Sequence, residues 1–343
     1  MSEDVPARPA LGEVRRRVVD STRLIETGFV PGAEGRLPLV LTPAMDGVDL
    51  AGWCSANGAE LEAHLDRHGA VLFRGFPLDG VDDFERVASA IAPDLFAEYG
   101  DLPPESASAR IYGSTPYPAD KTILFHNESS HLPTWPLRQF FFCVVPAAEG
   151  GETPLLDCRE VYRELVPDLR DEFERKGLLY VRNFVGGVDV SWQEFFRTTD
   201  RAEVERTCGE GGMDFEWTDD DGLRIRQSSP AVATHPRTGE RVFFNQIQLH
   251  HPSCLDPETR AALLRLFAEE DLPRNVLFGD GVPIPDETVD ELGRLYDRLC
   301  VEQPWQAGDL IALDNMLVSH ARRPFAGPRK ILVAMGRMVG AAA

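Results

Sequence analysis

Ile123-Leu-Phe-His126-Asn-Glu128-Ser-Ser130 is an apolar strand that ends in a histidine and a carboxylate two residues apart. Side chains at i and i+2 of a strand leave the same face, so His126 and Glu128 converge on one point. A divalent iron takes such a pair plus a second histidine from elsewhere in the chain and leaves its other positions open. The same pair also fits a salt-linked His–Glu couple without metal, and on this stretch alone both readings stand.

Downstream, Gly308-Asp309-Leu-Ile-Ala-Leu-Asp314-Asn315 reads as a turn, a buried strand and a polar loop, with His320 close behind. A Gly327-Pro328 turn then leads to Arg329 at the head of the apolar run Lys330–Met335. A histidine, a turn and an arginine opening the next strand put both side chains on one pocket wall, where the arginine can hold a carboxylate in bidentate fashion.

Around these landmarks the chain alternates between short strands and helices. Strands are expected at Ala70–Phe73, Ile123–Phe125, Phe140–Val145, Thr153–Leu156, Leu178–Val181, Leu310–Leu313 and Lys330–Met335, with a hairpin joining Ala231–Ala233 to Arg241–Phe244. Helices are expected at Val14–Ile25, Glu60–Arg67, from Asp82-Asp83 onward with Phe84, Val87, Ala88 and Ile91 on one face, Glu160–Arg175, Pro257–Glu270 and Asp286–Cys300. Strands in runs, with helices at the start and in insertions, indicate an α+β fold on an antiparallel sandwich or barrel. No GxGxxG follows a strand, which disfavours a dinucleotide-binding fold. Val185–Gly222 is acidic and weakly periodic apart from Trp192–Arg197; an irregular insertion of that length is a lid, a binding loop or disorder, and a lid is favoured.

With 343 residues and 43% hydrophobic side chains the chain can bury a large core. Its formal net charge of −21 would repel nucleic acid and anionic membrane. Six scattered cysteines without a CxxC pair argue against a disulfide framework or a zinc site. The N-terminus has no signal-type apolar segment and no run approaches spanning length, so the expected location is cytoplasmic. Oligomeric state is not legible.

In order along the chain, Phe125-His-Asn-Glu-Ser-Ser130, Pro133-Thr-Trp-Pro136, Gly150-Gly-Glu-Thr-Pro154, His235-Pro-Arg-Thr-Gly-Glu240, Phe243-Phe-Asn-Gln246 and Asp314-Asn315 with His320 form a set of blocks. Together they resemble the TauD/TfdA (taurine dioxygenase-like) superfamily of Fe(II)- and 2-oxoglutarate-dependent oxygenases, and within it the clavaminate synthase-like and SyrP-like hydroxylases. The resemblance covers roughly Gly69–Gly336. It implies a single domain over 1–343 built on a double-stranded β-helix (a jelly-roll, cupin-like barrel) flanked by helices. The barrel would span about 111–184 and 223–338, after N-terminal elements 1–110, with 185–222 as the lid. It also implies His126, Glu128 and His320 as iron ligands, Thr153 and Arg329 on the distal carboxylate of 2-oxoglutarate, and O2 as co-substrate. The implied reaction is hydroxylation of an unactivated C–H bond in an amino acid or amino-acid-derived molecule, free or carrier-tethered, within natural-product biosynthesis. Desaturation or cyclisation could follow from the same chemistry.

Two departures matter. Many members have Asp where this chain has Glu128, and Val333 stands where taurine dioxygenase-like enzymes carry a substrate-binding Arg. A sulfonate substrate held by that arm is therefore disfavoured, and a carboxylate ligand disfavours halogenation, which needs that position vacant for chloride. Candidate substrate residues are Asn127, Ser129, His131, Arg226, Asn245 and Gln246. His131 reads at best as a pocket-edge residue and more simply as a surface residue, and Arg224 and Arg226 read equally as counter-charges to the local Asp run. His250-His251 reads as loop rather than metal pair, because strand neighbours point to opposite faces. Trp135 and Phe140–Phe142 read as core. Two rival readings are a non-catalytic carboxylate-binding barrel and a zinc-dependent hydrolase.

Overall fold

The strands Leu39–Pro43, Ala70–Phe73, Leu310–Asp314, Thr134–Val145 and Lys330–Gly340 carry apolar residues on both faces, so each must be covered on both sides. In the computed structural model, which describes residues 24–97, 104–105, 108–185, 188, 190–218 and 221–340, they form the middle of an eight-stranded sheet. Leu310 faces Phe73 on one side and Phe142 on the other, and Leu332 continues the row beyond Phe142, all antiparallel. One face, with Val71, Phe73, Phe140, Phe142, Leu310, Ala312, Leu332 and Ala334, packs on the helices Leu50–Ala56, Gly58–His68 and Val81–Ile91. The helix Val81–Ile91 has no side-chain cap at Gly80, yet it buries Phe84, Val87, Ala88 and Ile91. Burial contributes about 1.5–3 kcal/mol for each larger side chain, which exceeds the ~1 kcal/mol of a good cap; packing holds this helix.

The other face, with Leu72, Phe141, Ile311, Leu313, Ile331, Val333 and Met335, meets Leu155, Val318, Val242 and Phe244 in a second core. Leu155 and Val318 belong to a three-stranded antiparallel sheet in which Val318–Arg322 lies between Ile123–His126 and Leu155–Asp157. Its register sets His320 opposite His126. The chain thus has mixed α and β layers with helices outside two facing sheets. A further four-stranded sheet runs in the order Asp214–Trp217, Leu223–Ser229, Leu178–Phe184, Arg274–Phe278.

Several sequence expectations are corrected. Of the expected helix Val14–Ile25, residues 14–23 lie outside the described residues, and Ile25 opens the strand Ile25–Phe29. The expected helix Glu160–Arg175 is two, Cys158–Glu164 and Pro167–Lys176, because a residue before proline avoids the helical region and Pro167 can only start a new helix. The helix from Pro257 stops at Leu266. The strand expected at Thr153–Leu156 is Leu155–Asp157, leaving Thr153 in the connection before it. The 185–222 segment is not irregular. Its described residues include the helices Trp192–Phe196 and Arg201–Glu210 and the strand Asp214–Trp217, closed over a small core of Phe184, Trp192, Val204, Cys208, Leu223 and Ile225. All six cysteines are free, and among the described residues no helix is long and apolar enough to cross a membrane.

Candidate metal centre

His126 ends its strand with Nδ1 2.8 Å from the Leu124 carbonyl. A carbonyl only accepts, so Nδ1 carries the proton and the Nε2 lone pair is left for a metal, the usual way an outer hydrogen bond fixes a ligating imidazole. Nε2 lies 4.0 Å from Oε2 of Glu128. Across the strand pair the His320 ring is 4.3 Å from that of His126. One ligand atom each from His126, Glu128 and His320 lie within 4.8 Å of one another, close enough for one ion to reach all three. His320 has a buried Nδ1 with no hydrogen-bond partner, and burial, then the neighbouring His126, holds its pKa well below the ordinary value. The ring is neutral, as metal ligation requires.

Glu128 is positioned through its backbone. Its N–H donates to Oδ1 of Asn315 at 2.7 Å, and Nδ2 of Asn315 donates to the carbonyls of Glu128 and Pro136, both at 2.9 Å. Gln139 Nε2 donates to Glu128 Oε2 at 3.4 Å. Ser129 follows with φ 56°, a left-handed turn that takes the chain away from the carboxylate. Asn315 is itself set by Asp314, whose Oδ1 accepts from the backbone of Met316 and Leu317. Asp314 is wholly buried against Arg138 and His235.

Beside the triad is a cleft, partly open to solvent, lined by Gln139, Phe141, Thr153, Arg322, Arg329 and Ile331 among others. Thr153 is 3% exposed; its Oγ1 accepts from Trp305 Nε1 at 3.2 Å, which leaves the hydroxyl proton free to point elsewhere. Arg329 donates through Nε to the Gly151 carbonyl at 3.0 Å. Gly151 has φ 75°, and a Cβ there would stand 3.0 Å from Arg329 Cδ and Nε, so the second glycine of the Gly-Gly pair makes room for the arginine. Among the described residues no carboxylate lies within ion-pair distance of Arg329. Burial, and secondarily Arg322, lowers its pKa to about 10, so it remains charged at neutral pH. Arg322 donates to the carbonyls of Tyr117, Pro118 and Lys121 and pins the loop at the cleft edge. Two guanidinium groups lining one cleft, with no carboxylate within ion-pair distance of either among the described residues, make a pocket suited to a small organic anion. A dicarboxylate reaching from Arg329 and Thr153 to the triad fits this donor set.

The candidate substrate residues divide. Asn127, 1% exposed, lies just past the end of the strand Ile123–His126 and turns its side chain into the protein. Its Nδ2 donates to the Asn315 carbonyl at 2.7 Å and its Oδ1 accepts from the Asn245 N–H at 3.2 Å. Asn245 and Gln246 are buried in the same brace, Gln246 Nε2 donating to the Asn127 carbonyl at 3.0 Å. These three stiffen the ligand strand from behind. His131 is half-buried: its ring lies tilted 5.0 Å from that of His250 and meets Tyr180 edge-on at 5.8 Å, so His250 belongs to a ring cluster while His251 turns to Ser253 and Ile284. Arg226 does not reach this region. Its register partner is Val181, so it leaves the sheet on the face opposite Tyr180 and lies 3.7 Å from Glu216. The sequence reading missed Gln139 and Arg322. The signal for Gln139 is an amide interrupting the apolar run Leu137–Val145 two residues before Phe141, with which it shares the cleft.

With this geometry the comparisons agree. The family model described as taurine catabolism dioxygenase TauD, TfdA family, matches residues 36–335. The chain is similar to the dapdiamide synthesis protein DdaC of Enterobacter agglomerans, 38% identical over 272 residues, covering 79% of this chain and 83% of the relative. It is also similar to a clavaminate synthase-like protein of Arabidopsis thaliana, 33% identical over 286 residues, covering 80% and 83%. Among solved structures, the PvcB protein of Pseudomonas aeruginosa shares the fold with a TM-score of 0.56 at 15% identity, covering 94% of each chain. The chain belongs to the TauD/TfdA family and is a 2-oxoglutarate-dependent non-haem iron dioxygenase.

Proposed function

We propose that this dioxygenase hydroxylates an unactivated C–H bond of an amino acid or amino-acid-derived molecule, free or carried as a thioester, in the assembly of a natural product. The observation that carries the reaction type is the complete His126–Glu128–His320 triad in a cleft that Arg329 and Thr153 also line. The substrate class is supported by the likeness to DdaC, named for dapdiamide synthesis. When bound, Fe(II) with 2-oxoglutarate supplies O2 activation coupled to decarboxylation, giving succinate and CO2 and the oxidising power for C–H cleavage.

In this reading His126, Glu128 and His320 hold the metal on one side and leave the other open. Arg329 pairs bidentately with the distal carboxylate of 2-oxoglutarate, and Thr153 donates its hydroxyl to it. Gln139 keeps the Glu128 carboxylate turned toward the metal. Phe141, Ile331 and Val333 are apolar walls that limit water at the reacting centre. Val333 offers no charge to a sulfonate, and Glu128 fills the position a halide would need. The facing sheets are read as the double-stranded β-helix of one domain spanning 1–343, with the 190–218 elements as a lid on the four-stranded sheet.

Anaerobic addition of Fe(II) and 2-oxoglutarate is expected to give a weak visible metal-to-ligand charge-transfer band, and air should then release succinate. Absence of both would sink the assignment of the site. Arg329→Leu removes one member of a buried charge pair, a loss of about 2–3 kcal/mol. Half-saturation for 2-oxoglutarate should therefore rise by about 30- to 150-fold, while Fe(II) content is retained. An unchanged half-saturation would place the co-substrate elsewhere.

A further inference from the structure

The helix Pro257–Leu266 stands outside the cores of the molecule: none of its ten residues is buried. Each other helix of ten or more residues, among the described residues, buries at least one side chain. A helix of this length falls short of the about 12–15 residues at which an isolated helix becomes even marginally stable, and packing of one face normally makes up the difference. Here the ties to the molecule are few. Asp256 caps the N-terminus, accepting from the Thr259 N–H at 2.9 Å and its hydroxyl at 2.7 Å, and Arg260 pairs with Asp286 at 2.7 Å. Arg260 and Leu263 are half-buried and mark the inner side.

The outer side carries Glu258, Ala261, Ala262 and Arg265, all exposed, at the i, i+3, i+4, i+7 spacing of a single stripe. By the helical repeat Leu264, 44% exposed, and Leu266, 72% exposed, flank that stripe on either side, and Leu255, 40% exposed, precedes the cap. The stripe is symmetric in charge. Glu258 lies as far before the midpoint between Ala261 and Ala262 as Arg265 lies after it. Among the described residues neither Glu258 nor Arg265 has a salt-bridge partner.

We propose that this face is a self-association surface on which a second copy of the chain packs its own Pro257–Leu266 helix, antiparallel and about a two-fold axis. Such an isologous contact sets each patch against itself, so Glu258 of either copy meets Arg265 of the other. Alanine meets alanine at the crossing, which lets the helix axes approach to about 8 Å, the close end of the usual range. Leu266 comes to the end where Pro257 and Leu255 of the second copy lie, so the most exposed leucine of the helix gains an apolar neighbour. Charge selects the occupant. With a net charge of −21 the chain would attract a basic partner at many places and repel another copy at most of them. A stripe with one acid and one base placed symmetrically about two alanines is complementary to itself.

The test is sedimentation equilibrium of the full-length protein. One helix per copy makes a small interface, so a dissociation constant on the order of 10 μM is expected, and loading from about 1 to 200 μM brackets it. Glu258→Arg sets arginine against arginine at both ends and should weaken association by about tenfold or more. It also makes each copy less acidic, so general repulsion alone would predict the opposite sign. Arg265→Glu should weaken association likewise, and Glu258→Arg combined with Arg265→Glu should restore most of what either loses. Leu266→Glu should leave a monomer with unchanged thermal melting, since that side chain is already exposed. Met45→Glu adds the same charge at a residue 55% exposed outside this helix and should leave association as in the wild type. The proposal is overturned if the wild-type protein is monomeric throughout the range, if its association survives Leu266→Glu, or if the double charge exchange associates no better than the single ones.

Discussion

Alanine at His126 or at Glu128 is expected to lower 2-oxoglutarate turnover by at least about a thousandfold, since loss of even an outer partner of a ligand costs about 10–100-fold. Both side chains line the cleft rather than a hydrophobic core, so the fold should lose no more than about 1 kcal/mol. The two effects are read separately, succinate release and bound iron on one side and thermal melting on the other. Glu128→Ala should lose bound Fe(II) with little change in melting. Persistent turnover in both variants would mean that the metal is held by other residues. Glu128→Asp is a finer probe: it keeps the charge but shortens the reach by one methylene while Asn315 still grips the backbone, so it should retain part of the iron.

How much of this was legible beforehand follows from what local pattern can encode. Period-two alternation suggests that His126 and Glu128 share a side, but the strand Ile123–His126 ends before Glu128; in the turn that follows, Asn315 grips the Glu128 backbone and its carboxylate lies 4.0 Å from His126. The helix face of Phe84, Val87, Ala88 and Ile91 was equally visible, since helical periodicity is also a local property. What alternation could not supply was which strands meet. That His320 faces His126 across a strand pair is a register fact between segments nearly two hundred residues apart, and it reached the reading through family blocks rather than through spacing. Arg226 shows the same limit from the other side. It sits on a strand near the site, but whether it faces the metal depends on its pairing with Val181, and the pairing turns it away. The insertion misled for a different reason. Its polar composition hid two short helices whose small core needs Phe184, Leu223 and Ile225 from the flanking strands to be complete. Asn127 was misassigned because a polar residue between two site residues looks exposed to substrate. Past the strand end it turns inward instead, to the Asn315 carbonyl and the Asn245 N–H.

The largest stability effect is expected at Arg138, which the sequence reading passed over inside an apolar strand. Its side chain is fully buried between Asp314 and Glu62, with Glu62 at 2.7 Å. Burial opposes the guanidinium charge, but Asp314 and Glu62 more than offset it and raise its pKa; Asp314 likewise stays ionised against burial through His235 and Arg138. Arg138→Met would leave the Asp314 carboxylate in the core with only the hydrogen bond from His235 Nε2 beside its backbone contacts, and breaking a buried pair in this way costs about 3–5 kcal/mol. Denaturant unfolding should show that loss. Arg138→Met combined with Asp314→Asn should cost less than the sum of the two single changes, because the double variant leaves no buried charge unpaired. The metal site supplies the second readout. Asp314 Oδ1 holds the turn that presents Asn315 to Glu128, so Asp314→Asn should weaken Fe(II) binding by about 10–100-fold, as for other outer partners of a ligand. Arg138→Met, which leaves that oxygen in place, should weaken it less. If both variants lost stability and neither changed iron affinity, the Asp314–Asn315 turn would be a fold element only, and the grip on Glu128 would have to come from Gln139 and the strand itself.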